Sequence, residues 1–254
     1  MLRKEFKVDK LDVKVFDTRK AMGAEAGEEA AEYLRELLSR QDEVWAIFAA
    51  APSQNEFLET LAAAPGIDWH RVHALHMDEY VGLSPEAPQG FGNFLRRAIF
   101  DKVPFASVDY IGSEGDPETL IARYDKILSE HKVDVVFMGI GENGHIAFND
   151  PHVADFHDKA RIKKVDLDLK CRNQQVNDGC FAKLEDVPQY ALTLTIPTLF
   201  AGGRLFCVVP AATKADAVKA TVEGPVGEAC PATVMRLHSA ATLYTDSDSG
   251  KYIL

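Results

Sequence analysis

The 254-residue chain carries 39 acidic against 28 basic side chains, a net charge of −11 with no lysine- or arginine-rich block to offset it. That balance argues against a nucleic-acid partner, because a phosphate backbone needs concentrated positive charge. It leaves room for one small anion held by a few local cations or a helix N-terminus. With 46% hydrophobic and 26% charged residues, the composition is that of an ordinary globular protein, long enough to bury a substantial core.

The N-terminal residues 1–7 contain no apolar signal core, and no stretch approaches membrane-spanning length. Asp17 or Thr18 is positioned to cap a helix over residues 24–38, whose apolar stripe runs through Ala26, Ala30, Leu34, Leu37 and Leu38. Residues 44–49 read as a buried strand and 53–63 as a helix with Ser53 at its cap. A strand over 72–77 and a helix over 91–100 follow. The next helix, 117–130, has Asp116 as cap and Pro117 at its first position. Residues 133–138 read as another buried strand. The polar stretch 152–177 reads as a lid or flap. A strand over 205–209, a helix over 213–222 and a strand over 241–245 complete the chain. Strands alternating with helices predict a three-layer α/β/α, Rossmann-like fold around a mainly parallel sheet. With no repeat and no low-complexity linker, residues 1–254 are expected to form a single domain.

The four cysteines, Cys171, Cys180, Cys207 and Cys230, match neither a CxxC metal pattern nor a dense disulfide framework. Together with the N-terminus they point to a reducing cytoplasm. His70, His73 and His76 are spaced to share a helix face, but their segment reads as strand, where His73 and His76 point to opposite sides. No metal ligand set is expected from them.

Two segments carry the chemistry. Phe137-Met138-Gly139-Ile140-Gly141-Glu142-Asn143-Gly144-His145-Ile146-Ala147-Phe148-Asn149-Asp150-Pro151 runs from a buried strand into a glycine-rich turn holding a histidine. Glycines let such a backbone approach a ligand, and open α/β sheets bind ligands beyond the carboxyl ends of their strands. A histidine there can exchange protons near neutral pH. Met77-Asp78-Glu79-Tyr80-Val81-Gly82-Leu83 places two adjacent acids where a strand gives way to a loop. Strand alternation sends Asp78 and Glu79 to opposite faces, so one can meet a pocket while the other anchors the loop.

These two segments together resemble the glucosamine-6-phosphate deaminase (isomerase) family, which shares its fold with the 6-phosphogluconolactonases. Val187-Pro188-Gln189-Tyr190-Ala191-Leu192-Thr193, Lys214, Ala220-Thr221-Val222-Glu223-Gly224 and Leu237-His238 fit its later segments, so the resemblance runs from about Val44 to about Thr245. Lactonases typically carry Asp-Glu-Arg where this chain has Asp78-Glu79-Tyr80, which favours the deaminase branch. The resemblance implies conversion of an amino-sugar 6-phosphate to a ketose 6-phosphate and ammonia, with no metal and no organic cofactor. Asp78 then matches the base that moves the C2 proton, and His145 the group that protonates the ring oxygen during ring opening. Asn143 and Asp150 fall where two carboxylates, usually Asp and Glu, orient that histidine.

The implied substrate and phosphate contacts are Ser53, Glu79, Gly144, Arg172 and Lys214, with Glu79 mainly supporting the loop. The usual glycine-rich phosphate turn is here Ala49-Ala50-Ala51-Pro52-Ser53. Asp178 falls where a phosphate-binding arginine is expected, and Arg172 is the nearby substitute. A lactonase-like sugar-phosphate hydrolase and a non-catalytic sugar-phosphate sensor are the rival readings. The partner in each is a small sugar phosphate, with no nucleic acid and no membrane, and homo-oligomerisation is left open.

Overall fold

The computed structural model describes all residues 1–254. Eight strands form the main sheet: β1 (Leu2–Val8), β2 (Leu11–Phe16), β3 (Val44–Phe48), β4 (Val72–His76), β6 (Ser107–Asp109), β7 (Val135–Met138), β10 (Arg204–Val209) and β11 (Ala241–Thr245). Their order is β1-β2-β11-β10-β7-β3-β4-β6, and every neighbouring pair is parallel except the β1–β2 hairpin. From β3 the chain proceeds outward through β4 and β6. From β7 it proceeds the other way through β10 and β11. The gap above β3 and β7 is therefore the topological switch point, where two crossovers diverge and leave a crevice. Three more strands, β5 (Asp78–Tyr80), β8 (Ile162–Asp166) and β9 (Tyr190–Leu194), form a small antiparallel sheet in the order β5-β9-β8.

The strands are buried on both faces, so period-2 alternation divides their side chains between two cores. Val44, Ala46 and Phe48 of β3 join Val135 and Phe137 of β7 in one core. Trp45 and Ile47 join Val136 and Met138 in the other. Helices α1 (Arg19–Leu38) and α2 (Asn55–Ala63) cover the first face, together with α3 (Phe91–Leu95), which continues as one π-helical turn through Phe100. Helices α4 (Pro117–Glu130), α6 (Ile196–Phe200) and α7 (Ala215–Glu223) cover the second. No helix is long and apolar enough to cross a membrane.

Local expectations hold at several ends. The Thr18 side chain accepts from Ala21 N–H to start α1, and Asp116 accepts from Thr119 N–H to start α4. Ser53 does not cap α2. Pro52 opens a 3-10 turn, Pro52–Gln54, and Ser53 lies inside it. Residues 152–177 hold β8 and α5 (Leu169–Asn177), the helix capped by Asp168. The three histidines diverge: His70 is exposed beside Asp68, His73 stacks on Trp45, and His76 is fully buried.

Helix α2 begins directly after the Ala49–Ser53 turn, so its seating positions that turn. It packs on α1 through two glycines. A Cβ on Gly23 would lie 2.5 Å from Glu56 Cβ, and one on Gly27 would lie 2.6 Å from Thr60 Cβ. Alanine normally favours a helix over glycine by about 1 kcal/mol; here a side chain must push the helices apart. Gly27→Val is expected to destabilise the protein by about 1–3 kcal/mol, measured as a lower urea midpoint. An unchanged midpoint would show that the two helices yield freely.

Candidate active site

The strands of the switch point end on one open cleft of about 500 Å³. Ala49, Ala50 and Ala51 line it after β3, Met77 and Asp78 after β4, and Gly139, Ile140 and Gly141 after β7. His145, Ser53, Gln54, Lys214, Gln174 and Gln175 add the remaining polar groups. The segments read as chemical in the sequence thus meet at one place, although Asp78 and Lys214 are far apart in the chain.

Asp78 stands at the hinge between the two sheets, where β4 stops at His76 and β5 begins. Its backbone is pinned from both sides. His76 Nδ1 donates to Asp78 O at 2.9 Å, while His76 Nε2 accepts from Ile111 N–H at 2.9 Å. These roles require a neutral ring, and burial drives the His76 pKa down to about 4. On the other side Leu194 N–H donates to Met77 O. The Asp78 carboxylate is only 7% exposed and accepts no hydrogen bond from the protein. Burial, reinforced by the charge of Glu79, raises its pKa well above the ordinary carboxylate range.

Glu79 turns away from the cleft. Its Oε1 accepts from Tyr80 and Phe91 N–H, and its Oε2 from Gly92 N–H, so it caps the first turn of α3. The expectation of loop support is met; the assignment as a substrate contact is corrected, since both oxygens are occupied by backbone donors.

His145 lies over Gly141 so closely that a Cβ there would sit 2.1 Å from the ring. Its Nδ1 contacts Asn143 Oδ1 at 2.7 Å and Asp150 Oδ1 at 3.0 Å, two acceptors that place the proton on Nδ1 and leave Nε2 for the cleft. Asn143 Oδ1 also accepts from His145 N–H, which fixes the orientation of the amide. Its Nδ2 therefore points to Asp150 Oδ1 at 2.8 Å and Asp168 Oδ2 at 3.2 Å. Asp150 is fully buried. Desolvation raises its pKa, but hydrogen bonds from His145 and Asn143 outweigh that, and the net shift is downward. The amide at position 143 is thus the donor shared by two acids, Asp150 and Asp168.

Lys214 is 4% exposed, at the turn Ala212–Lys214 that leads into α7. No hydrogen bond or ion pair within the protein engages its ammonium. Burial lowers its pKa, opposed by the charges of Asp178 and Glu142. Ser53 Oγ accepts from Gln54 Nε2 at 3.1 Å, which leaves the hydroxyl proton free. Arg172 does not reach the cleft: its guanidinium donates to Leu184 O and Val187 O, bracing the loop after α5. Gly144 does not line it either. It adopts φ +85° and packs on Cys230, whose Sγ lies 2.6 Å from where its Cβ would be. Gln54, Gln174 and Gln175 line the cleft and were not anticipated; glutamines carry no motif signal.

His145, Asp150 and Cys171 offer ligand atoms within 4.8 Å of one another. The donor set fits a metal poorly. The Cys171 thiol is held far above its ordinary pKa by burial, then by Asp150 and Asp168, and His145 Nδ1 is already engaged.

Asn143→Asp would bring three carboxylates together. The new acid would have a raised folded pKa, so its penalty is absent below the unfolded carboxylate pKa and grows as pH rises. The variant is expected to lose about 1–3 kcal/mol at pH 8 and less at pH 5, read as the thermal midpoint difference from the parent. A difference independent of pH would contradict this account of the amide.

Residues 17–244 match the family described as glucosamine-6-phosphate isomerases/6-phosphogluconolactonase. A curated glucosamine-6-phosphate deaminase of Exiguobacterium sibiricum is 35% identical over 188 residues, 74% of this chain and 73% of that protein. One from Streptococcus sanguinis is 32% identical over 226 residues, 89% and 93% of the two chains. A solved monomeric glucosamine-6-phosphate deaminase superposes with a TM-score of 0.84 at 25% identity, covering 94% of this chain and 98% of that one. The 6-phosphogluconolactonase of Thermotoga maritima shares the fold, with a TM-score of 0.76 at 17% identity over 93% of this chain and all of that one. The chain belongs to the glucosamine-6-phosphate isomerase/6-phosphogluconolactonase family.

Proposed function

We propose that this protein is a glucosamine-6-phosphate deaminase, an aldose–ketose isomerase that converts an amino-sugar 6-phosphate and water to a ketose 6-phosphate and ammonia. The observation that carries this reading is the Asp78 carboxylate, buried without a donor, in one cleft with His145 and Lys214. The curated deaminase relatives support the same chemistry.

In this reading Lys214 and the Ser53 hydroxyl hold the phosphate. His145, backed by Asp150, donates from Nε2 to the ring oxygen as the sugar opens. Asp78 takes the proton from C2, giving an enolamine, and returns it to C1. The C2 imine then adds water and releases ammonia. A base with a raised pKa accepts a carbon-bound proton better than an ordinary carboxylate does. Lactone hydrolysis offers Asp78 no proton to shuttle, so the donor-free carboxylate favours the deaminase over the lactonase reading.

The test is ammonia release across a panel of amino-sugar 6-phosphates, by the parent and by Asp78→Asn. The parent should turn over, and the variant should lose about 10²–10⁴ in rate while keeping ligand affinity. Its stability should move the other way. A carboxyl with a raised folded pKa stabilises the fold below its unfolded pKa and loses that contribution as pH rises through the folded one. At pH 7 Asp78→Asn should therefore melt higher than the parent. Near-normal ammonia release from the folded variant would overturn the assignment.

A further inference from the structure

Three glutamines line the cleft, and two are committed to the protein. Gln54 Nε2 donates to Val208 O and Ser53 Oγ. Gln174 Oε1 accepts from Glu142 N–H, and its Nε2 donates to Asp178 Oδ2. Gln175 is 94% buried by its 6% exposure, yet its carboxamide makes no hydrogen bond to any protein group. Neither of its polar atoms is fully sealed, and the residue lines the cleft. The carboxamide is therefore free to bond a ligand that enters the cleft.

Its position indicates which end of the ligand it meets. Cys171, Gln175 and Asp178 are four and three residues apart on and just beyond α5, hence on one face. The Asp178 carboxylate, on that face, is near enough to Lys214 to oppose the effect of burial on its ammonium. Gln175 lines the same cleft as Lys214. With Arg172 turned away and Asp178 carrying the wrong charge, this end of the cleft has one ammonium and one idle carboxamide.

We infer that Gln175 is a direct ligand of the substrate's anionic group, its Nε2 donating to a phosphate oxygen beside Lys214, and so determines specificity for the phosphorylated end. This rests on the reading of the cleft as a sugar-phosphate site. A neutral donor adds no charge, so the site holds the phosphate with a single cation. Its Oε1 can also accept from a protonated phosphate, as a guanidinium cannot.

The experiment measures glucosamine 6-phosphate turnover, and separately the binding of glucitol 6-phosphate and glucitol, for the parent, Gln175→Leu and Gln175→Glu. Gln175→Leu keeps the volume and removes the hydrogen bond. It should raise KM and the Kd for glucitol 6-phosphate about ten- to a hundredfold, with kcat within about threefold and glucitol binding unchanged. Gln175→Glu sets a carboxylate against the phosphate and should weaken it further. Equal affinity for glucitol 6-phosphate in the parent and both variants, with melting midpoints retained, would overturn the inference while leaving the sugar-phosphate reading intact. If one variant does not fold, the other decides alone. A parent that binds no sugar phosphate would remove both.

Discussion

A carboxylate taken out of water without a donor destabilises the fold that holds it, and the architecture around Asp78 is organised to hold it there. Its backbone is tied at the junction of two sheets, by the neutral His76 ring on one side and by the β5–β9 pairing on the other. Behind it, Glu79 is locked by three backbone N–H groups, so a second negative charge is fixed close by. If β5 slipped by one residue, Glu79 would face the cleft and Asp78 would meet the α3 N-terminus. Register, cap and hinge therefore serve one outcome: a buried carboxylate whose affinity for a proton is raised.

The same economy of donors appears at His145. The usual need of a catalytic histidine is an acceptor for Nδ1, and two are present, one from an amide and one from a carboxylate. Asn143 serves a second purpose, since its Nδ2 neutralises the approach of Asp150 to Asp168. The charge behind the imidazole comes from Asp150 alone. The same cleft holds one cation, Lys214, three glutamines in its lining, and the opposing charges of Asp178 and Glu142.

Much of this was legible in the sequence, for physical reasons. Strands β3, β4, β7, β10 and β11 lie in a sheet covered on both faces, so they read as apolar runs, and the residues just beyond their ends are the cleft. Asp78 and His145 were visible from those positions, and Lys214 through the family resemblance. The β1–β2 hairpin escaped notice because β1 is an edge strand with little burial, and its charged alternation resembles a loop. Strands β5, β8 and β9 are short and pair across long loops, a relation no local pattern records. Arg172 was misplaced because side-chain reach depends on tertiary neighbours. Two backbone carbonyls, of Leu184 and Val187, take its guanidinium. Ser53 was placed at the cap of a helix over 53–63, but Pro52 opens a 3-10 turn that holds it. Gln175 was invisible, since its significance is that its neighbours leave it unpaired.

The central claim is that Asp78 breaks the C2–H bond of an amino-sugar 6-phosphate. The direct measurement follows deuterium from [2-²H]glucosamine 6-phosphate into the ketose product by NMR. The account predicts that the label leaves C2, appearing at C1 in part and exchanging into solvent for the remainder, with slower turnover than for the protio substrate. Products that keep deuterium at C2 would contradict it, because Asp78 would then have left that bond intact.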